Sequence, residues 1–459
     1  MVRGVGFTSG LAAAAVVATA HAAAPRYALY FDQYHTAVLP NRTMTAGITH
    51  VITAFANSSY FVADAGETMG SYTPFMDLTD IRAMFDNGTK VCMAIGGWGD
   101  LEGFRLGAAT DASRAAYAQN VAATLDTLGY DCIDVDWEYP AGNGYDYKQV
   151  PNAQLTAEIE TYPLFLAAIK SAIGDKELSI AVPALERDML AYTAETVPQI
   201  SAAVDFVNIM TYDLMNRRDN FTKHHTDVNG SLAAIETYLT RGMDPAKMNL
   251  GIAFYAKYFT LAANTTCTTG PIGCPIALAE DAEGQDTGTS GAVTFEATSF
   301  PAAGPTNLTA SPDSSCGVGT SFACTGNATS GSCCSQYGFC GDTSAHCGTG
   351  CQSDYGTCAA ATKSTAQSFA DALVQGETDT VRGGQWWVDD VAGLFWTWDT
   401  PELVARKFSE IIEAKGLGGV MAWSLAEDSY DWGLLKAMQD GVAGLNAVEQ
   451  KRKIRRRRY

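Results

Sequence analysis

Asp134, Asp136 and Glu138 recur at every second position in the run Asp131-Cys132-Ile133-Asp134-Val135-Asp136-Trp137-Glu138-Tyr139-Pro140. In an extended strand alternate side chains share a face, so the three carboxylates stand in a row while Ile133, Val135 and Trp137 face the other way. A row of like charges is costly to bury unless its members share protons and hydrogen bonds. A cleft that enforces such sharing strengthens the hold of the outermost carboxylate on its proton and makes it an acid near neutral pH. A calcium loop or a water-facing edge strand would also collect carboxylates, but the apolar residues between the acids and the tryptophan argue against both.

Such a row has to be held at the end of a strand, and the chain supplies strands at a regular rhythm. Strands are expected at Tyr27 to Phe31, Thr49 to Ala56, Lys90 to Ile95, Cys132 to Trp137, Leu178 to Pro183, Val204 to Tyr212, Met248 to Tyr255 and Gly419 to Trp423. Helical spacing between them is clearest over Asp100 to Leu128, Glu158 to Ile173 and Pro401 to Ala414. Eight strands separated by helices predict an α/β fold, a closed (β/α)8 TIM barrel. Such barrels carry their chemistry at the carboxyl ends of the strands, which places Glu138 at the rim. Between the seventh strand and its helix lies a long insertion, residues 260–400. Its first part is rich in Gly, Ala, Ser and Thr, and Gln385 to Asp399, dense in aromatics, is expected to return to the barrel as a hairpin.

The acid run also resembles a known family. Asp131-x-x-Asp134-x-Asp136-x-Glu138 matches the D-x-x-D-x-D-x-E pattern of family 18 glycoside hydrolases, the chitinases and their relatives. The resemblance implies retaining hydrolysis of β-1,4-linked N-acetylglucosamine polymers, assisted by the substrate's own acetamido group. Glu138 would be the acid and then the base. Asp136 would orient the acetamido group, and Asp134 would share a proton with Asp136. Met210-Thr211-Tyr212-Asp213 is similar to the family's M-x-Y-D, which implies that Tyr212 donates to the acetamido carbonyl and that Asp213 and Met210 line the site. Trp423 corresponds to the tryptophan under the cleaved sugar, and Trp98 and Tyr139 are further candidate sugar contacts. One departure stands out. The family's S-x-G-G is here Ala94-Ile95-Gly96-Gly97, so a hydroxyl near the acids is missing. A catalytically weak chitin-binding lectin is the second possibility: some relatives keep the barrel and bind chitin without cleaving it, but those typically lose the final Glu, which this chain keeps. An endo-β-N-acetylglucosaminidase acting on glycoprotein glycans shares the acid pattern and is the third possibility.

The 459-residue chain carries a net charge of −20. Seven of its last nine residues are basic, so the remainder carries −27. So acidic a body repels nucleic acid and anionic membranes and accepts a neutral polymer. Chitin and its oligosaccharides are the expected partners of a monomer with no cofactor and no metal. Residues 1–24 have the pattern of a secretory signal, with Arg3, an apolar run from Leu11 to Ala20, and Ala20-His21-Ala22. Twelve cysteines agree with an oxidising compartment, and sequons begin at Asn41, Asn57, Asn87, Asn220, Asn229, Asn264, Asn307 and Asn327. A secreted protein, extracellular or attached to a cell wall, is expected. The barrel is assigned to residues 25–259 and 401–446 and the basic tail to 447–459.

Eight of the cysteines fall within 43 residues of the insertion, from Cys316 to Cys358. So short a stretch builds little core and must be stapled, although spacing alone leaves the pairing open. Residues 314–358, including Cys333-Cys334-Ser335-Gln336-Tyr337-Gly338-Phe339-Cys340-Gly341, resemble hevein-type chitin-binding domains (carbohydrate-binding module family 18). That resemblance implies the pairs Cys316–Cys334, Cys324–Cys340, Cys333–Cys347 and Cys351–Cys358, with sugar contacts at Ser335, Tyr337 and Phe339. His346 stands where a third aromatic is common. Cys267 and Cys274 are expected to pair. Cys92 and Cys132, inward-facing on neighbouring strands, are expected to be buried free thiols.

Overall fold

The structure, a computed structural model, describes residues 24–62, 72–265, 267, 270–301, 307–325, 331–348, 350–358 and 363–456. The expected signal segment ends at residue 24 and so lies almost wholly outside them, as does Asn327. Eight parallel strands close into a barrel: Arg26–Asp32, His50–Ala56, Lys90–Gly96, Cys132–Asp136, Glu177–Pro183, Phe206–Met210, Met248–Ala253 and Gly419–Trp423. The first strand pairs with the second and the eighth, and the order is otherwise sequential, so the ring has no free edge.

Strand parity builds two cores. Outward residues such as Ile133, Val135 and Trp137 pack with the surrounding helices, and the ring of Trp137 stacks on Phe104 at 5.4 Å. Inward residues form a smaller interior around Ala28, Tyr30, Ala94, Cys132 and Met421. The expected helix over Asp100 to Leu128 is two helices, Glu102–Ala108 and Asp111–Leu128. Thr110 caps the second, its side chain accepting from Ser113 N while Ser113 returns a bond to the Thr110 backbone, and that geometry ends the first. No helix among the described residues is long and apolar enough to cross a membrane.

The seventh strand stops at Ala253, two residues short of the expected Tyr255. The chain turns there into Tyr255–Thr260, which belongs to a separate five-stranded sheet with Glu377–Asp379, Gly384–Asp389, Leu394–Trp398 and Ser290–Thr294. All pairings in that sheet are antiparallel. The short strands and turns around Cys316 to Cys358 follow Ser290–Thr294 in the chain, and their core is made of cystines and Tyr355.

The expectation of free thiols at Cys92 and Cys132 is corrected: they form a disulfide, with Cα atoms 4.4 Å apart. The two residues are direct register partners on the third and fourth strands, and both face the barrel interior. Adjacent Cα atoms and a shared side-chain direction meet the geometric needs of a disulfide. Cys267 pairs with Cys274. The remaining disulfides are Cys316–Cys334, Cys324–Cys340, Cys333–Cys347 and Cys351–Cys358.

Candidate active site

Glu138 lies two residues beyond the fourth strand, on a cavity of about 770 Å³ at the carboxyl ends of the barrel strands. Asp136, Tyr139, Met210, Tyr212, Asp213, Trp98 and Trp423 line the same cavity. Asp134 lies below, wholly buried.

The deepest acid is held by donors from three other strands. Tyr30 Oη donates to Asp134 Oδ2 at 2.7 Å, and Ser179 Oγ donates to Oδ1 at 2.5 Å. Asn208 Nδ2 adds a longer bond to Oδ1 at 3.3 Å. Asn208 is itself oriented by Asn249, whose Nδ2 donates to its Oδ1 at 2.9 Å, and Asn249 accepts from Arg26 Nε at 3.0 Å. Burial pushes Asp134 up to about 6, against the pull of the three donors. The missing hydroxyl at Ala94 has a counterpart on the other side: Ala94 and Ser179 are the two register neighbours of Asp134.

The hydrogen bonds that Asp134 accepts come from Tyr30, Ser179 and Asn208. Asp136 Oδ1 is buried and has no hydrogen-bond partner. Burial, then the charges of Glu138 and Asp134, raise Asp136 above its ordinary value. Glu138 is also raised, by burial first, with a hydrogen bond from Tyr139 working against it and Asp213 and Asp188 adding to it. All three acids of the row are thus shifted upward, by burial before any other cause.

Aromatic rings form the floor. Phe55 stacks on Trp423 with centroids 5.5 Å apart, and Tyr30 approaches the same indole at 5.5 Å. Trp98 is 49% exposed at the rim and meets Tyr139 and Tyr145 edge-on. Asp213 adopts φ +52°. It accepts from Tyr255 Oη at 2.9 Å and pairs with Lys257 Nζ at 3.0 Å. Burial would raise Asp213, but Lys257 and His225 outweigh it and hold the acid well below the usual range, although half its side chain opens to the cleft.

One flank is closed by a belt of loops. Arg218 lays its guanidinium 3.8 Å from the Tyr147 ring centre and donates to Asn143 O at 2.7 Å and to Asp188 at 3.2 Å. Tyr147 Oη donates to Glu280, and Gln149 Nε2 donates to Glu283 O at 2.7 Å. The loop after the fourth strand is thus tied to Glu280 and Glu283, which lie between the seventh and eighth barrel strands in the chain.

Ser335, expected as a sugar contact, is buried, and its Oγ accepts from Phe339 N at 3.2 Å. It holds the turn on which Tyr337 and Phe339 stand exposed. Sequence reasoning missed Tyr30, Phe55, Ser179, Asn208, Tyr255 and Lys257. Ser179 and Asn208 carried a faint signal, as lone polar residues at inward positions of apolar strands. Phe55 and Tyr255 carried none that sets them apart from core aromatics.

A parallel barrel with buried carboxylates over an aromatic floor at its strand ends has the layout of a barrel-enzyme site. The family model for "Glycosyl hydrolases family 18" matches residues 26–428, and the chain belongs to that family. Among curated relatives, "Sporulation-specific chitinase 2" of Saccharomyces cerevisiae is 32% identical over 191 residues, 39% of this chain and 36% of that protein. "Endochitinase 1" of Metarhizium robertsii is 27% identical over 262 residues, 51% of this chain and 59% of that one. The chain thus matches less than two thirds of either relative's length. Among solved structures, catalytic domain 2 of the Ostrinia furnacalis Group II chitinase superposes with a TM-score of 0.62 over 92% of this chain and 97% of that one, at 18% identity. That likeness shows the fold.

Proposed function

We propose that the chain is a secreted chitinase that hydrolyses β-1,4-linked N-acetylglucosamine polymers with retention, through the substrate's own acetamido group. The observation that carries this reading is Asp136 Oδ1, a buried acceptor without a partner in the wall of the cleft. Leaving such an atom unpaired costs about 1–3 kcal/mol, and an acetamido N–H supplies what it lacks.

In this reading the sugar to be cleaved lies over Trp423, with its apolar face on the indole. Glu138 gives its proton to the glycosidic oxygen as the bond to the anomeric carbon breaks. The acetamido carbonyl oxygen attacks that carbon from the opposite face and closes an oxazolinium ring. Asp136 accepts the N–H bond at Oδ1 and fixes the orientation of the acetamido group, while Tyr212 donates to the acetamido oxygen. Glu138, now ionised, removes a proton from water, and the hydroxide adds to the anomeric carbon as the ring opens. Two inversions give net retention, and Glu138 regains its proton.

The catalytic unit in this proposal is residues 25–259 with 401–446, carrying residues 260–400 as an insertion. Residues 314–358 are a chitin-binding module, supported by a disulfide pattern that coincides with the one the hevein resemblance implies. Six disulfides support export to an oxidising compartment.

The test is a product time course on soluble N-acetylglucosamine oligomers, with the anomer followed by NMR. Fresh β-anomer is expected, and Glu138→Gln should bind oligomers yet lose at least about a hundredfold in turnover. Fresh α-anomer, or near-normal turnover in Glu138→Gln, overturns the mechanism. Release of glycans from a high-mannose glycoprotein without cleavage of chitin oligomers overturns the substrate.

A further inference from the structure

Tyr337 and Phe339 are 67% and 57% exposed, in a unit whose own core is cystine and Tyr355. Large rings are not left in water by the packing of so small a unit, because Tyr355 and four disulfides already fill it. The turn that carries them is rigid. Ser335 N donates to Phe339 O at 2.9 Å and Gly338 N to Ser335 O at 3.0 Å, while Gln352 Nε2 donates to Ser335 O at 2.7 Å. Rings held in this way present flat apolar faces at little entropic cost.

The direction in which this turn is anchored matters more than its exposure. The hydroxyl end of Tyr337 rests against Gly288, where a Cβ would come within 2.7 Å of it. Gly288 leads directly into Ser290–Thr294, and Ser290, Gly291 and Ala292 line the catalytic cavity. That strand lies beside Tyr255–Thr260 with Ala292 opposite Lys257, the residue that pairs with Asp213. From Gly288 to Gly291 is three residues, roughly 10 Å along an extended chain. Gly291 is bare because the Tyr258 ring occupies the space above it.

We propose that Tyr337 and Phe339 form a second sugar-binding surface continuous with the active-site cleft, so that one polymer chain occupies both. This rests on the chitinase reading above and extends it. A module that merely adheres would hold a neighbouring chain of the solid and leave soluble substrates indifferent to it. A continuous track makes binding depend on the length of a single soluble chain, because the second contact becomes intramolecular once the cleft is filled.

The experiment compares kcat/KM on short N-acetylglucosamine oligomers with that on soluble oligomers of roughly twice the length. The unmutated full chain should favour the longer ones. Tyr337→Ala with Phe339→Ala should lower the long-to-short ratio about tenfold, chiefly through KM. Gly288→Asp, a residue type that tolerates the φ of +73° at this position, keeps both rings but crowds the Tyr337 hydroxyl away, and it should lower the same ratio. Disulfide content by mass and an unchanged thermal midpoint show that the variants are folded. A ratio unchanged in both variants overturns the proposal, including the case where only insoluble chitin is affected. Equal losses on short and long oligomers overturn it as well. If the unmutated chain cleaves no chitin oligomer, the chitinase reading fails instead.

Discussion

At the scale of the residue, the design problem is how to bury three carboxylates together. Asp134 is met by hydroxyls and an amide, Asp136 is raised by burial and by the charges of Glu138 and Asp134, and Glu138 is raised at the rim. Ser179 stands in for the hydroxyl that Ala94 lacks, from the opposite neighbouring strand. Hydrogen bonds to an ionised acid lower its pKa, so Ser179→Ala should push Asp134 further above about 6. The acid limb of the rate profile should move to higher pH, with about a tenfold loss at pH 5. Ala94→Ser in the Ser179→Ala background should restore both, and a pH–rate series on a chromogenic oligomer measures it. An unmoved acid limb would show that Ser179 does not tune the acid. The acid row itself was legible because its period of two has no structural purpose. Its supports were not, since Tyr30, Asn208 and Ser179 converge from strands far apart in the chain.

At the scale of the element, the eight barrel strands were legible because each is a short apolar run set off by helical spacing. The eighth, Gly419–Trp423, falls where the sequence puts it. What escaped was register. Cys92 and Cys132 lie 40 residues apart, and only the pairing of the third strand with the fourth makes them partners. The bond ties the strand carrying Asp134 to its neighbour, two residues below that acid. Closing a loop of this length should contribute roughly 3–4 kcal/mol by restricting the unfolded chain. Cys92→Ala with Cys132→Ala should therefore lower the unfolding free energy by that much, read as a lower midpoint in a denaturant titration, while the acids stay in place. An unchanged midpoint would mean that strand pairing alone sets the stability here.

At the scale of the whole molecule, the buried acids set a preference for acidic solution. Burial raises Asp134 to about 6 and Glu427 and Asp428 each to about 8. These groups keep protons in the folded chain that the unfolded chain gives up, so stability falls as pH rises from about 4 towards 8. His35, raised to about 9 by its hydrogen bond to Asp32 at 2.8 Å, acts in the same direction. Its contribution is complete below about 6.5 and is lost as pH passes about 9. Glu177, lowered to about 2 by His50 and Lys90, works oppositely and is lost only in strong acid. The thermal midpoint should therefore peak between about pH 4.5 and 6.5 and drop clearly by pH 9. Calorimetry across that range checks it, and a midpoint at pH 9 equal to that at pH 5 would contradict it.

The way the disulfide-rich unit is hung has a consequence for descent. The unit lies between Phe300 and Lys363 in the chain, and residues on both sides of it meet at one ring. Phe300 packs on Phe369 at 5.4 Å, and Ser364 caps the helix that carries Phe369. A segment whose two ends share one foothold behaves as a cassette. A lineage can acquire it, discard it or trade it in a single event without moving any barrel strand, so enzymes with this barrel and acid row should occur both with the cassette and without it.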